Sequence, residues 1–153
     1  MDALRGFLWP DPPELRHFRW VYIVLTLNFL IPALGYEFAP SLAIAEFSRI
    51  GRILGGGDYA LAAGETGHVW RILGAGNVLA LAFMCALLCW DLRRFQVVLI
   101  PLVFLKSTAA LGYLGVWLTV TRYPAFLAVF VFDSLTVAAM IFFAGRARRA
   151  LER

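Results

Sequence analysis

The sequence has few charged residues and few of the side chains that hold metals or form disulfide bonds. Charged residues make up 16% of the 153 positions, and there are two histidines and two cysteines. Cys85 and Cys89 stand four residues apart within one apolar run, with no C-x-x-C pair and no histidine nearby. This pattern argues against a disulfide framework and against a zinc site.

Sequence motifs of common enzyme classes are absent as well. There is no phosphate-binding loop, no H-E-x-x-H zinc helix, no G-x-S-x-G nucleophile turn and no acidic metal cluster. His17 precedes the first apolar run and His68 precedes the second, so a membrane separates them and they cannot hold a haem together. We therefore expect no catalytic residues, no metal and no cofactor.

Apolar residues are abundant, at 61% of the chain, and the mean hydropathy is +0.77. A bilayer core about 30 Å thick needs roughly 20 apolar residues per helix, so the chain has room for four spans, at about 20–38, 69–90, 95–118 and 125–144. The connections at about 91–94 and 121–124 suit only tight antiparallel hairpins. We predict one all-α transmembrane domain over 1–153, an integral membrane four-helix bundle with up-down-up-down topology.

The arginines indicate how the bundle is oriented. Four spans place both termini and the second loop on one side, which carries Arg5, Arg16, Arg19, Arg93, Arg94, Arg146, Arg148, Arg149 and Arg153. The other side carries Arg49, Arg52, Arg71 and Arg122. By the positive-inside rule, we predict a protein of the cytoplasmic (inner) membrane with cytoplasmic termini and an extracytoplasmic loop at about 37–68. The net charge of +4 belongs to these flanks and not to a basic patch, so nucleic acid is not an expected partner.

Two helix starts can be proposed from local sequence. Asp11 can cap the first helix, with Pro12 at its first position and Glu14 completing a capping box. Ser41 can cap a short amphipathic helix at about 41–54, which the glycines from Gly55 onward and Asp58 would stop. Its apolar stripe consists of Ala43, Phe47, Ile50 and Leu54. This helix lies either on the outer membrane surface or a partner protein, or across the outer end of its own bundle.

Two charged residues fall deep inside predicted spans. Lys106 in the third span and Asp133 in the fourth both lie near the bilayer midplane when residues are counted at about 1.5 Å each. An isolated charge there costs on the order of 3 kcal/mol on insertion scales, so the two should face inward and pair. The pair either forms a proton relay or an ion or substrate site, or is a neutral pair that fixes helix register.

Asn28 in the first span and Asn77 in the second are the other strongly polar residues at depth. Pro32 frees the carbonyl of Asn28, which predicts a kink and an acceptor in need of a partner. Hydroxyls close to the charges in sequence could add hydrogen bonds, and a possible pocket comprises Tyr113, Ser134 and Thr108. The neighbouring hydroxyls are those of Ser107 and Thr136.

Small residues recur at helical spacing in the second and third spans, including Gly76-x-x-x-Ala80 and Thr108-x-x-x-Gly112. Such spacing lets helix backbones approach closely, within this bundle or against a neighbouring subunit. The expected partners are therefore the lipid bilayer together with other membrane subunits or a second copy.

Three hypotheses for function follow. The first is a non-catalytic accessory or assembly subunit of a larger inner-membrane complex. The second is a homo-oligomeric transporter or channel for a small solute, ion or proton, with Lys106, Asp133, Asn28 and Asn77 along its path. The third is a quinone- or lipid-binding membrane enzyme whose pocket, in the outer half of the bundle, is lined by Tyr113, Trp117 and Lys106.

Overall fold

The computed structural model describes residues 7–10, 12–57 and 65–153, with the backbone only at 65, 66 and 68–70. The helices in this part are α1 (Pro13–Phe38), α2 (Pro40–Ile53), α3 (Glu65–Trp90), α4 (Leu92–Phe95), α5 (Leu99–Thr119) and α6 (Pro124–Leu151), with a 3₁₀ turn at Gln96–Val98. Asp11 and Asp58, to which a helix cap and a helix stop were assigned, lie outside the described residues.

Four helical stretches are long and apolar enough to cross a membrane: Pro13–Phe38, Arg71–Trp90, Leu92–Thr119 and Pro124–Leu151. The prediction of an all-α bundle of four membrane-spanning helices is confirmed. The first, third and fourth stretches extend beyond their predicted bounds, because polar residues outside the apolar window still continue the helix, whereas the second lies within its predicted bounds.

The four long helices pack as two close pairs, α1 with α3 and α5 with α6, and looser contacts of α1 with α6 and of α3 with α5 complete the bundle. Neighbours run in opposite directions: the Cys89 thiol near the end of α3 lies 3.7 Å from the carbonyl oxygen of Arg19 near the start of α1. Arg93 donates to the carbonyl oxygen of Leu151 at 3.1 Å. The start of α1, the α3–α4 loop and the end of α6 therefore share one end of the bundle, called here the termini end.

The start of α1 differs from the predicted cap. The helix begins at Pro13, and Pro12, placed by the sequence at the first helical position, is instead the N-cap residue and offers no side-chain hydrogen bond. Proline suits position 13, the first residue of the helix, because its fixed φ matches the helix and the first turn needs no N–H donor. Glu14 in that turn approaches the guanidinium of Arg146 at 4.0 Å, which joins α1 to α6 at the termini end.

The predicted cap of α2 is wrong. The helix begins at Pro40 with Ala39 as its N-cap, so Ser41 already lies in the first turn and makes no capping bond. Proline sets the start here, as it does in α1. The predicted glycine stop is confirmed at Gly55, whose φ of +86° is a left-handed conformation that glycine adopts readily.

Helix α2 packs across the end of its own bundle that lies opposite the termini end, which is the second of the two arrangements considered for it. Phe47 lies 5.1 Å from the ring of Phe126, and the Tyr123 hydroxyl donates to the carbonyl oxygen of Ser48 at 3.1 Å. Tyr123 is so close that a Cβ atom on Gly51 would lie 2.0 Å from its hydroxyl oxygen. The end of the bundle opposite the termini end is therefore closed by aromatic packing that requires glycine at one position.

The main core lies between the termini end and the middle of the bundle. Its largest fully buried side chains are Phe18, Tyr22, Phe29, Cys85, Leu88, Leu102 and Met140. The Tyr22 hydroxyl donates to the carbonyl oxygen of Met140 at 3.1 Å, so a buried polar group joins α1 to α6. Many large apolar side chains face outward, as expected where the surrounding solvent is lipid.

Candidate functional site: a buried ion pair and an outward small-residue face

Lys106 is the only lysine of the chain, and it pairs with Asp133 inside the bundle. Its Nζ lies 2.6 Å from Asp133 Oδ1, and the two residues are only 9% and 3% exposed. They meet because α5 and α6 are adjacent and antiparallel, so equal depths on the two helices face each other. The pairing that residue counting predicts is present.

Aromatic side chains surround this pair. Lys106 Nζ lies 4.9 Å from the centroid of the Phe29 ring of α1, close enough for a cation–π interaction. Tyr36 of α1 and Tyr113 of α5 lie within electrostatic range of Asp133. Helices α1, α5 and α6 therefore converge on the two charges at the centre of the bundle.

The geometry of the pair suits a locked contact. Two charges taken out of water are stabilised only when they meet closely and in good geometry, and removing one partner leaves a buried charge without compensation. Lys106 and Asp133 are nearly fully buried and meet at 2.6 Å, so each charge has a close partner within the chain. The pair can fix the relative position of α5 and α6, and a change in its protonation would disturb that packing.

The neighbouring hydroxyl groups do not extend the pair into a network. Thr136 donates to the carbonyl oxygen of Phe132 at 2.9 Å, and Thr108 donates to that of Phe104 at 2.9 Å. Each bond closes on the residue four positions earlier, so both hydroxyls are satisfied within their own helices.

The three residues of the possible pocket are not all brought together. Thr108 is exposed on the outer surface, whereas Tyr113 is half-buried and packs toward Phe126 with ring centroids 6.1 Å apart. Thr108 and Tyr113 are five residues apart, which corresponds to a rotation of about 140° around the helix axis, so they lie on different faces of α5. Ser134 is half-buried. Trp117 packs against the same aromatic cluster as Tyr113, so these rings serve the attachment of α2.

The two asparagines have different surroundings. Asn28 is half-buried on α1, and the helix continues through Pro32 to Phe38. Asn77 is exposed on α3, and its side chain makes no hydrogen bond within the described part of the chain. A primary amide therefore points out of the bundle from a membrane-spanning stretch.

Small residues occur on the outward surfaces of both α3 and α5. A Cβ atom on Gly76 of α3 or on Gly112 of α5 would meet nothing within 4 Å, so the chain's own packing does not require glycine at either position. Gly76 and Ala80 lie about one turn apart on α3, and Thr108 and Gly112 lie about one turn apart on α5. We call Gly76, Asn77, Ala80, Thr108 and Gly112 the small-residue face.

A groove of about 480 Å³ opens between α1 and α3 near the termini end. It lies in the opposite half of the bundle from the pocket that the sequence suggested, and no sequence motif marked it. Its lining residues are Phe7, Ile23, Thr26, Leu27, Ala86, Cys89 and Trp90.

Fold and site together define the class: a small α-helical membrane-embedded protein whose interior holds the ion pair of Lys106 and Asp133. Within the described residues, no group of three or more histidine, cysteine, aspartate or glutamate side chains could hold a metal ion. No protein-family model, no curated protein and no solved structure matches the chain.

Proposed function

We propose that this protein is a non-catalytic accessory or assembly subunit of a larger complex in the cytoplasmic membrane, with its termini in the cytoplasm. The observation that carries the proposal is Asn77, an exposed amide on a membrane-spanning helix without a hydrogen-bond partner in the described part of the chain. In hydrocarbon such a group lacks the water that would otherwise bind it. A hydrogen bond to another membrane helix supplies the partner and contributes about 1–2 kcal/mol in model peptides.

The outward glycines of α3 and α5 support the same proposal. Glycine in a helix is less favourable than alanine by about 1 kcal/mol. Gly76 and Gly112 have open space where a Cβ atom would be, so nothing inside the chain offsets this cost. Close approach of a helix from another protein is a physical reason for glycine on an outward surface.

The ion pair supports the non-catalytic part of the proposal. Lys106 and Asp133 already satisfy each other, and the groove near the termini end includes neither of them. A pair enclosed in this way can fix the packing of two helices without taking part in chemistry.

A purification experiment with matched variants tests this function. The protein carries an affinity tag and is isolated in mild detergent from its native membrane, as wild type, as Ala80→Leu and as Ala138→Leu. Ala80 lies on the small-residue face, whereas Ala138 is exposed on α6. We expect the wild type and Ala138→Leu to retain the same companion protein in native mass spectrometry and Ala80→Leu to lose it.

Three results would contradict the proposal. One is a lone monomer for the wild type. Another is equal recovery of the companion from Ala80→Leu and Ala138→Leu, which would place the contact elsewhere. A companion consisting only of further copies of this chain would replace the accessory role with self-association.

A second candidate, a homo-oligomeric transporter of protons or small ions, is favoured by one observation. Lys106 pairs with Asp133 across α5 and α6 and also lies against the Phe29 ring of α1, so three helices meet at the buried charges. Liposomes containing the protein would then show a flux that disappears in both Lys106→Met and Asp133→Leu. Normal flux in two folded variants would exclude these residues from the path.

A further inference from the structure

The groove between α1 and α3 is apolar along its walls and open toward the surroundings of the bundle. Its volume of about 480 Å³ is within the usual range for small-molecule sites, about 300–1,000 Å³. Leu27 and Trp90 line it and are exposed at 49% and 75%, so a ligand can enter sideways from the membrane. This shape suits a hydrocarbon chain that arrives from the lipid phase.

A guanidinium group lies at the end of the groove nearest the termini. The Arg19 guanidinium carbon lies 4.4 Å from the centroid of the Phe7 ring, and Phe7 lines the groove. Arg19 also donates to the carbonyl oxygen of Phe7. A guanidinium has five N–H donors, and Arg19 has no carboxylate partner within the described residues. As far as the described residues go, donors of Arg19 therefore remain for an anion beside Phe7 at the groove.

Helical spacing aligns this arginine with the wall of the groove. Ile23, Thr26 and Leu27 line the groove from α1 and follow Arg19 by four, seven and eight residues, which puts all four on one helix face. The eight residues from Arg19 to Leu27 span about 12 Å along the membrane normal.

The polar and apolar ends of the groove match the two parts of a membrane lipid. Cys89, next to Trp90, contacts the carbonyl oxygen of Arg19, so the exposed tryptophan and the arginine lie at the same level. Tryptophan and arginine at a helix end are typical of the headgroup region, while Leu27 lies deeper. A molecule with a phosphate at the level of Arg19 and a hydrocarbon chain beside Leu27 would satisfy both ends.

The charge of the termini end selects the kind of lipid. Arginines are concentrated there, and basic pockets on the cytoplasmic side of membrane helices favour anionic headgroups. The arginines at this end include Arg16, Arg19, Arg93, Arg94, Arg146, Arg148 and Arg149. We propose that the groove binds one acyl chain of an anionic phospholipid, with Arg19 holding the phosphate, in the leaflet that faces the termini.

This site is separate from the small-residue face. The groove uses Ala86, Cys89 and Trp90 of α3, and the face uses Gly76, Asn77 and Ala80 of the same helix. The two proposals share no residue, so one can fail while the other holds.

Native mass spectrometry tests the headgroup part of the proposal. The purified full-length protein is delipidated and then titrated with equal amounts of phosphatidylglycerol and phosphatidylcholine. We expect the wild type to retain phosphatidylglycerol preferentially. In Arg19→Gln we expect phosphatidylglycerol affinity to fall about fivefold, which corresponds to about 1 kcal/mol for one basic residue near an anionic surface.

The matched control for charge is Arg149→Gln. It removes the same charge from the same end of the bundle, but from an exposed position on α6. We expect it to leave phosphatidylglycerol affinity within twofold of wild type. Equal retention of the two lipids by the wild type, or equal losses in the two variants, would overturn the proposal.

The acyl-chain part is tested by filling the groove. Ala86→Leu adds volume to its wall, and Ala138→Leu adds the same atoms to the outer surface of α6. We expect Ala86→Leu to reduce retention of phosphatidylglycerol severalfold and Ala138→Leu to leave it unchanged. If Ala86→Leu retains the lipid like wild type while Arg19→Gln loses it, the lipid is held by its headgroup alone and the groove is not its site.

Discussion

Polar groups inside the bundle and polar groups on the outer surface of α3 differ in how fully the chain itself satisfies them. Inside, Lys106 and Asp133 meet at 2.6 Å, and the Tyr22 hydroxyl donates to a main-chain carbonyl oxygen. Outside, Asn77 has no hydrogen bond within the described residues, and Gly76 has open space where a Cβ atom would be. The buried charges are thus satisfied within the chain, whereas the amide of Asn77 is not, and this difference is the basis of the proposed contact with another protein.

The membrane explains why this difference carries information. Lipid chains are as apolar as leucine, so hydrophobicity does not separate a residue that packs inside a membrane bundle from one that faces lipid. Polar groups and small residues do distinguish a contact surface from a lipid-facing one. A polar group needs a hydrogen-bond partner, and a small residue allows another helix backbone to approach closely. Their positions therefore tell more about function here than the many exposed phenylalanines and leucines.

The largest expected effect comes from breaking the interior pair. Lys106→Met leaves Asp133 buried without a counter-charge, and we expect a loss of about 3–5 kcal/mol in the free energy of unfolding. Thermal denaturation of the purified protein in detergent measures this loss. The double variant Lys106→Met with Asp133→Leu is the control, and it should recover most of the stability because no unpaired charge remains. A single variant as stable as wild type would mean that the pair does not hold the interior together.

Exchanging the two charges sharpens the same point. Lys106→Asp alone places two carboxyl groups side by side and should impair folding. Adding Asp133→Lys restores opposite charges and should restore folding at least partly. If the double variant stays as unstable as the single one, each charge depends on surroundings that the exchange cannot reproduce.

The next largest loss of stability is expected at the end of the bundle opposite the termini end, where α2 packs against Tyr123. Gly51→Ala brings a Cβ atom to 2.0 Å from the Tyr123 hydroxyl oxygen, so α2 must shift. We expect a destabilisation of about 1–3 kcal/mol, typical of overpacking, and faster amide hydrogen exchange in α2. Gly57→Ala is the control, because a Cβ atom there meets nothing within 4 Å. Equal exchange in the two variants would show that α2 is not held by this contact.

A smaller effect is expected at the hydrogen bond between α1 and α6. Tyr22→Phe removes the hydroxyl that donates to Met140 and leaves a buried carbonyl oxygen with one partner fewer. The expected loss is about 1 kcal/mol, measured by the same denaturation assay. Tyr36→Phe is the comparison, since its hydroxyl makes no hydrogen bond within the described residues. An equal loss in both variants would remove the hydrogen bond as the explanation.

The smallest effect on stability is expected on the small-residue face. Gly76→Ala and Gly112→Ala add a methyl group where there is open space, so the purified chain should be unchanged or more stable by up to about 1 kcal/mol each. A loss of more than 1 kcal/mol from either change would show that these glycines serve the bundle's own packing. The contrast between inside and outside would then disappear.

The number of helices and the depth of the charged residues could be predicted from the sequence. Apolar runs of about 20 residues mark the spans, and a constant rise per residue puts Lys106 level with Asp133. The direction in which each residue faces could not be predicted in the same way. All four spans are apolar around most of their circumference, so no stripe marks the inside. Thr108 was grouped with Tyr113 for that reason, although it faces outward.

One local signal was overridden, and one buried contact has no local signal. Ser41 is a good N-cap by type, but proline at the preceding position starts the helix earlier. The buried hydrogen bond of Tyr22 cannot be predicted from the sequence, since a tyrosine near a helix end suits the membrane interface equally well. The groove between α1 and α3 depends on how two helices meet, and no single segment of the sequence encodes it.

Site-specific photo-crosslinking in the native membrane tests most directly whether the α3–α5 surface contacts another protein. A photoreactive leucine analogue replaces Leu73, one turn from Asn77 on the same helix face, or, in a separate strain, Leu135 on α6. Both leucines are exposed, at 57% and 66%, so lipid alone would treat them alike. We predict a protein adduct of one defined mass from position 73 and none from position 135. The same adduct pattern at both positions, or no protein adduct at position 73, would contradict the account.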